Sequence, residues 1–385
     1  MKQVLIIEAQ IKQYRVPFYA RLHAALSEAG IQLRVAYSDP SPVEATKKDT
    51  SDLPNEYGLK VKGYWFVPER LVYQAVFREL LRADLTIVDQ GNRFMWNHIL
   101  LPLSRAGLMR VAFWGLGENR QTGQLRLSAW YRRKTLNWVS WWFAYTSGTA
   151  RYLVQNGVPA SKITAVQNAV DTSEIRNYVE SMSVQERVSA RNRLGIPASA
   201  PVGIFCGMLD KVKSVPFLIS AAKLIREQLP EFHLLVVGGG PEQASIQSSV
   251  QDTPWIHLMG PRFGSEKSEL IAISDLFLMP GRVGLVILDA FAGGLPLLST
   301  RLSIHGPEME YLEEGVNGQL SVPDVSAFAT MATSVFSDHD KLDRLRVGAR
   351  IAGAQYTIEN MAANFCSGIQ ECLGGPAALG VRSPA

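Results

Sequence analysis

The densest chemistry in this 385-residue chain lies at 276–318, "LFLMPGRVGLVILDAFAGGLPLLSTRLSIHGPEMEYLEEGVNG". An apolar run ends at Met279-Pro280-Gly281, and a turn containing Gly284 opens a predicted helix, Leu285–Ala292. The first N–H groups of a helix have no intrahelical acceptor, so those of Gly284, Leu285 and Val286 form a ready site for a diphosphate. Asp289, one turn further in, comes within reach of ribose hydroxyls. Three other polar loops follow apolar runs: Gln13-Tyr14-Arg15-Val16-Pro17, Asp89-Gln90-Gly91-Asn92-Arg93, and "FWGLGENRQ" at 113–121, with Glu118, Asn119 and Arg120 as candidate ligand contacts. Pro17 suits the first helical position and biases Val16 toward extended backbone. Arg15 is therefore expected to project from a stiff loop; the competing reading is a surface pairing with an acid.

The elements that must position these groups alternate along the chain. Val4–Ile7, Leu33–Tyr37, Leu85–Val88 and Val111–Trp114 read as buried strands, with a helix over Pro17–Leu26. After a helical stretch around Ser183–Leu194 the pattern restarts, with strands predicted at Val202–Cys206, Leu234–Val237, Ile256–Leu258, Leu276–Met279 and Pro296–Leu298. Helices are predicted at Val215–Gln228 and Glu266–Ile273. Strands alternating with helices imply parallel sheets covered on both faces, which bind ligands beyond the carboxyl ends of their strands. Two such α/β domains in tandem would face each other across a cleft, which suits joining two substrates with water excluded. The expected domains are 1–175 and 190–354, with a last helix over Tyr356–Leu373.

Composition narrows the class. Apolar content of 47% and charged content of 19% describe a globular chain, and a net charge of +4 is too small to argue for nucleic acid. The three cysteines form no Cys-x-x-Cys pair and fit a reducing, cytoplasmic compartment. Val4–Ile7 is too short for a signal-peptide core, and no run approaches the ~20 apolar residues of a membrane span. Residues 126–145, "RLSAWYRRKTLNWVSWWFAY", are basic and rich in Trp. They suit contact with an anionic membrane surface, which would place the protein peripherally on an inner membrane face. The competing reading is a core helix with a solvated basic face, followed by a buried strand over Trp141–Tyr145.

The 276–318 stretch resembles family 4 of the retaining glycosyltransferases, which have the glycosyltransferase B fold. The family pattern sets a Glu eight residues before a second acid, then Ala and a Gly-x-Pro break; here the second acid is Asp289 and the first position is Gly281. Closer still is a branch with Pro-Gly-x-x-Gly-Leu and a downstream His-Gly-Pro-Glu, here His305, Gly306, Pro307 and Glu308. "FCGMLDKVKS", 205–214, is similar to the family's Gly-Arg-Leu element with its downstream Lys; it supplies Gly207 and Lys213, with Met208 in place of the Arg. "VVGGGPE", "NAVD" and "YTIENMAANF" also match, the last resembling a terminal helix that crosses back to the first domain, so helix 355–373 is expected to pack there.

The resemblance implies a nucleoside diphosphate sugar as donor substrate. The diphosphate would meet Gly207, Lys213, Gly281, Gly284, Leu285 and Val286, the ribose would meet Asp289, and Glu308 or His305 would take over the sugar contact. Arg15 would offset the charge lost at Met208. It implies no metal and no separate cofactor. Asp338-His339-Asp340, which nominally matches the metal motif of the other glycosyltransferase fold, reads better as a helix cap. The acceptor would be a carbohydrate or a lipid-linked molecule, in bacterial surface polysaccharide or glycoconjugate synthesis, with the first domain on the acceptor side. Two other readings stay open: an epimerase or hydrolase on the same fold, and a non-catalytic sugar-nucleotide-binding protein.

Overall fold

The computed structural model describes residues 1–46, 48–66, 71–117 and 126–374. The chain divides into two compact units: Met1–Val170 together with the segment from Ile358, and Asp171–Thr357.

In the first unit a seven-stranded parallel sheet is built from β1 (Lys2–Ile7), β2 (Ile31–Tyr37), β3 (Gly58–Lys60), β4 (Leu85–Asp89), β5 (Val111–Gly115), β6 (Trp141–Ala144) and β7 (Ile163–Ala165). Its order is β3-β2-β1-β4-β5-β6-β7. Central strands with helices on both faces need apolar residues at every position, which is why "VLII" and "VAFWG" do not alternate. Helices α1 (Val16–Glu28), α2 (Met95–Arg105), α3 (Arg126–Thr135) and α4 (Ser147–Gln155) follow β1, β4, β5 and β6. The last described helix, Ile358–Cys372, packs on α1, and its Phe365 stacks on Phe143 with ring centres 4.5 Å apart.

The expected backbone of Val16 is not found. Val16 is helical (φ −55°, ψ −48°), not extended. The turn Gln13–Arg15 delivers the chain directly into α1, so Val16 is the first helical residue and Pro17 the second. Pro17 costs nothing there, because the N–H it lacks has no intrahelical acceptor at that position. For 126–145 the competing reading holds: Trp141 and Trp142 are buried in β6 at 6% and 1% exposure, while Trp130, Arg133 and Lys134 of α3 are exposed.

The second unit holds a six-stranded parallel sheet of β8 (Val202–Cys206), β9 (His233–Val237), β10 (Ile256–Gly260), β11 (Leu276–Met279), β12 (Leu297–Thr300) and β13 (Gly318–Ser321), in the order β10-β9-β8-β11-β12-β13. Its helices include α5 (Ser173–Ser181), α6 (Val184–Arg193), α7 (Val215–Gln228), α8 (Gly264–Ala272), α9 (Val286–Ala292), α10 (Val325–Ser337) and α11 (His339–Gln355). A Ser183–Glu186 capping box starts α6, and Asp338 caps α11 by accepting from the Lys341 N–H at 2.9 Å. Near the amino end of β11, Asp275 accepts from Arg187, Arg191 and Arg346 at 2.7–2.9 Å. That buried brace ties α6 and α11 to the amino ends of β8 and β11, where Asp275 also accepts the Val202 N–H at 2.9 Å.

Candidate functional site

The site in the second unit is made by loops at the carboxyl ends of β8, β9, β10 and β11. The β8 loop runs Gly207–Ser214 and the β11 loop Pro280–Leu285. The Arg282 N–H donates to Val212 O at 2.9 Å, and Lys213 Nζ donates to Arg282 O at 2.7 Å. Asp210 accepts the Lys213 N–H at 3.0 Å and fixes the turn that carries this lysine. Lys213 therefore spans both loops. Burial lowers its pKa from the ordinary lysine value, with Asp210 opposing the shift.

Gly281 lies where these loops touch. A Cβ there would come within 2.3 Å of the Lys213 carbonyl carbon and 2.5 Å of Val212 O. The position therefore has no room for a side chain, so the acid that the resemblance sets there would not fit between these loops. Gly238 does the same under the β8 loop: at φ 144° its Cβ would overlap Gly207 O.

His305 holds the turn from the other side. Its Nδ1 accepts the Val283 N–H at 3.0 Å and its Nε2 pairs with Thr300 O at 2.7 Å. A carbonyl can only accept, so Nε2 carries the hydrogen and the ring is neutral. Burial keeps its pKa below the usual value. Both ring nitrogens are thus committed to backbone. The expectation that His305 touches the sugar gives way to a positioning role on Val283–Gly284. Glu308, 4% exposed, lies one turn beyond, close enough to Gly306 that a Cβ there would sit 2.7 Å from its Oε2.

Past the turn, the first helical bonds of α9 are donated by Ile287 and Leu288 to Gly284 O and Leu285 O. The N–H groups of Gly284, Leu285 and Val286 precede those donors. A Cβ on Gly284 would meet nothing within 4 Å, so the backbone there is approachable. Asp289 follows on α9, and Lys267 of α8 donates to its Oδ2 at 3.1 Å. Burial by itself would lower the Lys267 pKa, but Asp289 beside it leaves it raised overall. Gly207 stands next to a cavity of about 590 Å³ lined by Cys206, Met208, Gly238–Gly240, Pro261, Arg262 and Phe263. Burial pushes the Cys206 thiol up to about 12, so it is no nucleophile at neutral pH.

The structure thus brings together Gly207, Lys213, Gly281, Gly284, Leu285, Val286, Asp289, His305 and Glu308 in one unit. Sequence reasoning missed Lys267 and Pro261–Phe263. Neither carries a motif; α8 and the β10 loop reach the site only through the strand order β10-β9-β8-β11.

Arg15 belongs to the first unit, and it does not project. It is 8% exposed, its guanidinium 4.8 Å from the Trp114 ring centre and 5.2 Å from that of Tyr14. Beside it at the end of β1, Glu8 accepts the Tyr19 hydroxyl at 2.7 Å. Burial raises Glu8 from its usual 4.5 to about 7, with Asp89 adding to the shift and Tyr19, Arg15 and Arg93 opposing it. Asp89 lies 4.0 Å from Arg93 in its own loop. Glu118, Asn119 and Arg120 lie outside the described residues.

Glu8 makes a checkable pH prediction. Folding favours its neutral form, so its contribution is present below the unfolded pKa near 4.5 and is lost as pH rises through about 7. Glu8→Gln should remove that loss, leaving the variant about 3 kcal/mol more stable relative to wild type at pH 8 than at pH 4.5. Urea unfolding at the two pH values measures it; parallel curves for both proteins would refute it.

Two family models match the chain: "Glycosyltransferase Family 4" over residues 18–174 and "Glycosyl transferases group 1" over 200–338. The chain is 29% identical over 188 residues to a D-inositol 3-phosphate glycosyltransferase of Corynebacterium urealyticum, covering 45% of this chain and 44% of that protein. It is also 29% identical over 183 residues to the N-acetyl-alpha-D-glucosaminyl L-malate synthase of Bacillus anthracis, covering 44% and 45%. The chain thus spans about half the length of the relatives it matches. Among solved structures it is similar to Anabaena HepE in complex with UDP, with a TM-score of 0.67 at 16% identity over 95% of this chain and 98% of the other. A glycosyltransferase from Rickettsia africae gives 0.70 at 14% identity over 97% and 98%.

Proposed function

Since this chain belongs to glycosyltransferase family 4 and has the glycosyltransferase B fold, we propose that it moves a sugar, with retention, from a nucleoside diphosphate sugar to a carbohydrate or lipid-linked acceptor. The observation that carries this reading is the joined pair of loops in the second unit, with Lys213 bridging them through Arg282 O and open space beside the half-buried backbone of Gly284. A departing diphosphate gains negative charge as the bond from its oxygen to the sugar's anomeric carbon breaks. Lys213 and the N–H groups of Gly284, Leu285 and Val286 are the groups that would meet that charge, fixed in advance of reaction. The base would enter the cavity beside Gly207 and Phe263, the ribose would reach Asp289, and Glu308 would hold the sugar. The acceptor oxygen then bonds to the same face of the anomeric carbon, and its proton passes to the departing phosphate oxygen. No carboxylate nucleophile is needed, so Gly281 is compatible with turnover. Arg15, set among Glu8, Tyr14 and Trp114, would serve the acceptor in the first unit.

We further propose a cytoplasmic enzyme of surface polysaccharide or glycoconjugate synthesis that needs no metal, because Lys213 and the N–H groups of Gly284, Leu285 and Val286 supply the positive charge at the diphosphate. Activity should then survive EDTA; complete loss reversed by Mn²⁺ would contradict it. Asp289→Asn should weaken donor affinity about tenfold in calorimetry, since a charged acceptor for the ribose becomes neutral. Unchanged affinity would remove the ribose assignment. The reading as a whole is tested by following donor consumption with and without glycan or lipid-linked acceptors, and the product's anomeric configuration by NMR. Acceptor-dependent transfer with retention is expected. A donor bound but never consumed would instead make this a sugar-nucleotide-binding protein, and consumption without acceptor would make it a hydrolase or epimerase.

A further inference from the structure

The charge of this chain is unevenly placed. Between Phe94 and Val170 there are nine Lys and Arg residues and a single acid, Glu118. That segment carries net +8, although the whole chain carries only +4. It includes α2 and α3, neither of which contains an acid. The exposed stripe of α2 is Met95, His98, Ile99, Pro102 and Arg105, at helical spacing. Leu108, 72% exposed, continues it in the following turn. The helix α3 lies alongside: His98 and Tyr131 have ring centres 5.9 Å apart, and Arg105 of α2 sits 4.9 Å over Trp138 just past the end of α3. On α3, Trp130, Arg133 and Lys134 face outward, Trp130 at 57% exposure. Arg132 instead feels the carboxylate of Asp89 at the end of β4. Apolar and cationic side chains thus share one outer surface, next to the strand ends of the first unit.

We propose that the α2–α3 face docks on an anionic lipid surface. Ile99, Leu108 and Trp130 enter the headgroup boundary, and Arg105, Arg133 and Lys134 pair with lipid phosphates. The charge decides the occupant. A water-facing helix pair in a globular protein mixes both signs, and a protein-docking core is depleted of charge, whereas this face joins exposed large apolar groups to cations of one sign. It differs from docking through the whole of 126–145, because β6 is buried and α2 supplies half of the contact. It stands independently of what the second unit binds.

The test is co-sedimentation of the full chain with vesicles of equal parts phosphatidylcholine and phosphatidylglycerol, against vesicles of phosphatidylcholine alone. Binding is expected to the mixed vesicles only, and to be released by salt on the order of 0.5 M. Replacing both Arg133→Glu and Lys134→Glu should weaken it more than tenfold, with circular dichroism unchanged. Brominated phosphatidylglycerol should quench part of the tryptophan fluorescence of wild type, and that part should vanish in Trp130→Phe, which needs no charge-reversed variant to fold. Equal binding to neutral vesicles, equal binding by the charge-reversed variant, or identical quenching in Trp130→Phe would overturn the proposal. A wild-type chain that stays in solution with both vesicles would also overturn it and leave the face to a protein partner.

Discussion

Gly281→Glu, which would restore the family's acid, should lower turnover by at least ~100-fold. The substitution looks like a repair in sequence, but the structure makes it an insertion. Its Cβ would fall 2.3 Å from the Lys213 carbonyl carbon, where no carbon can stay. The β8 and β11 loops must then separate, breaking the Arg282–Val212 and Lys213–Arg282 hydrogen bonds. Displacing a positioning element by an ångström is enough for a loss of this size. Stability should fall by about 1–3 kcal/mol, as for other overpacked sites. Gly281→Ala should show the same effect in milder form, because the clash begins at Cβ. Retained or improved donor turnover by Gly281→Glu in a coupled assay would mean that the loops do not close on each other as described.

Lys213→Ala should cut turnover by roughly ten- to a hundredfold at saturating donor. An ammonium has three donors, and the Arg282 carbonyl takes one of them. The others suit the diphosphate, whose charge grows in the transition state, so the loss should appear in kcat and not only in KM. Lys213→Arg should keep part of the activity, since its charge remains while its reach and geometry change. If the lysine only joins the loops, Lys213→Gln, which can still donate to the Arg282 carbonyl, should restore near-normal kcat. A normal kcat in that variant would remove Lys213 from the chemistry.

Much of this architecture was legible because buried parallel strands are written as unbroken apolar runs. Val202–Cys206, Leu276–Met279 and the helix Val215–Gln228 form with the bounds that the pattern predicts. What the pattern could not supply depends on tertiary approach. Val16 is helical because the Gln13–Arg15 turn feeds the helix directly, overriding the local bias of a residue before proline. The His305 position was legible as part of a motif, but its role depends on which backbone atoms stand opposite its two nitrogens. The empty position at 281 read as a missing contact; only the carbonyl beside it shows that the gap is filled by backbone. Lys267 left no local signal, since its partner Asp289 is on another helix and 22 residues away.

The central claim is that the second unit holds a nucleoside diphosphate sugar between Lys213, the Gly284 turn and Asp289. Calorimetric titration of the full chain with a panel of nucleoside diphosphates and their sugars tests it most directly. One base should bind in preference to the others. Both Lys213→Ala and Asp289→Asn should weaken that ligand, while Glu8→Gln in the first unit leaves its affinity unchanged. Equal affinity in wild type, Lys213→Ala and Asp289→Asn, or no binding of any member of the panel, would contradict the account.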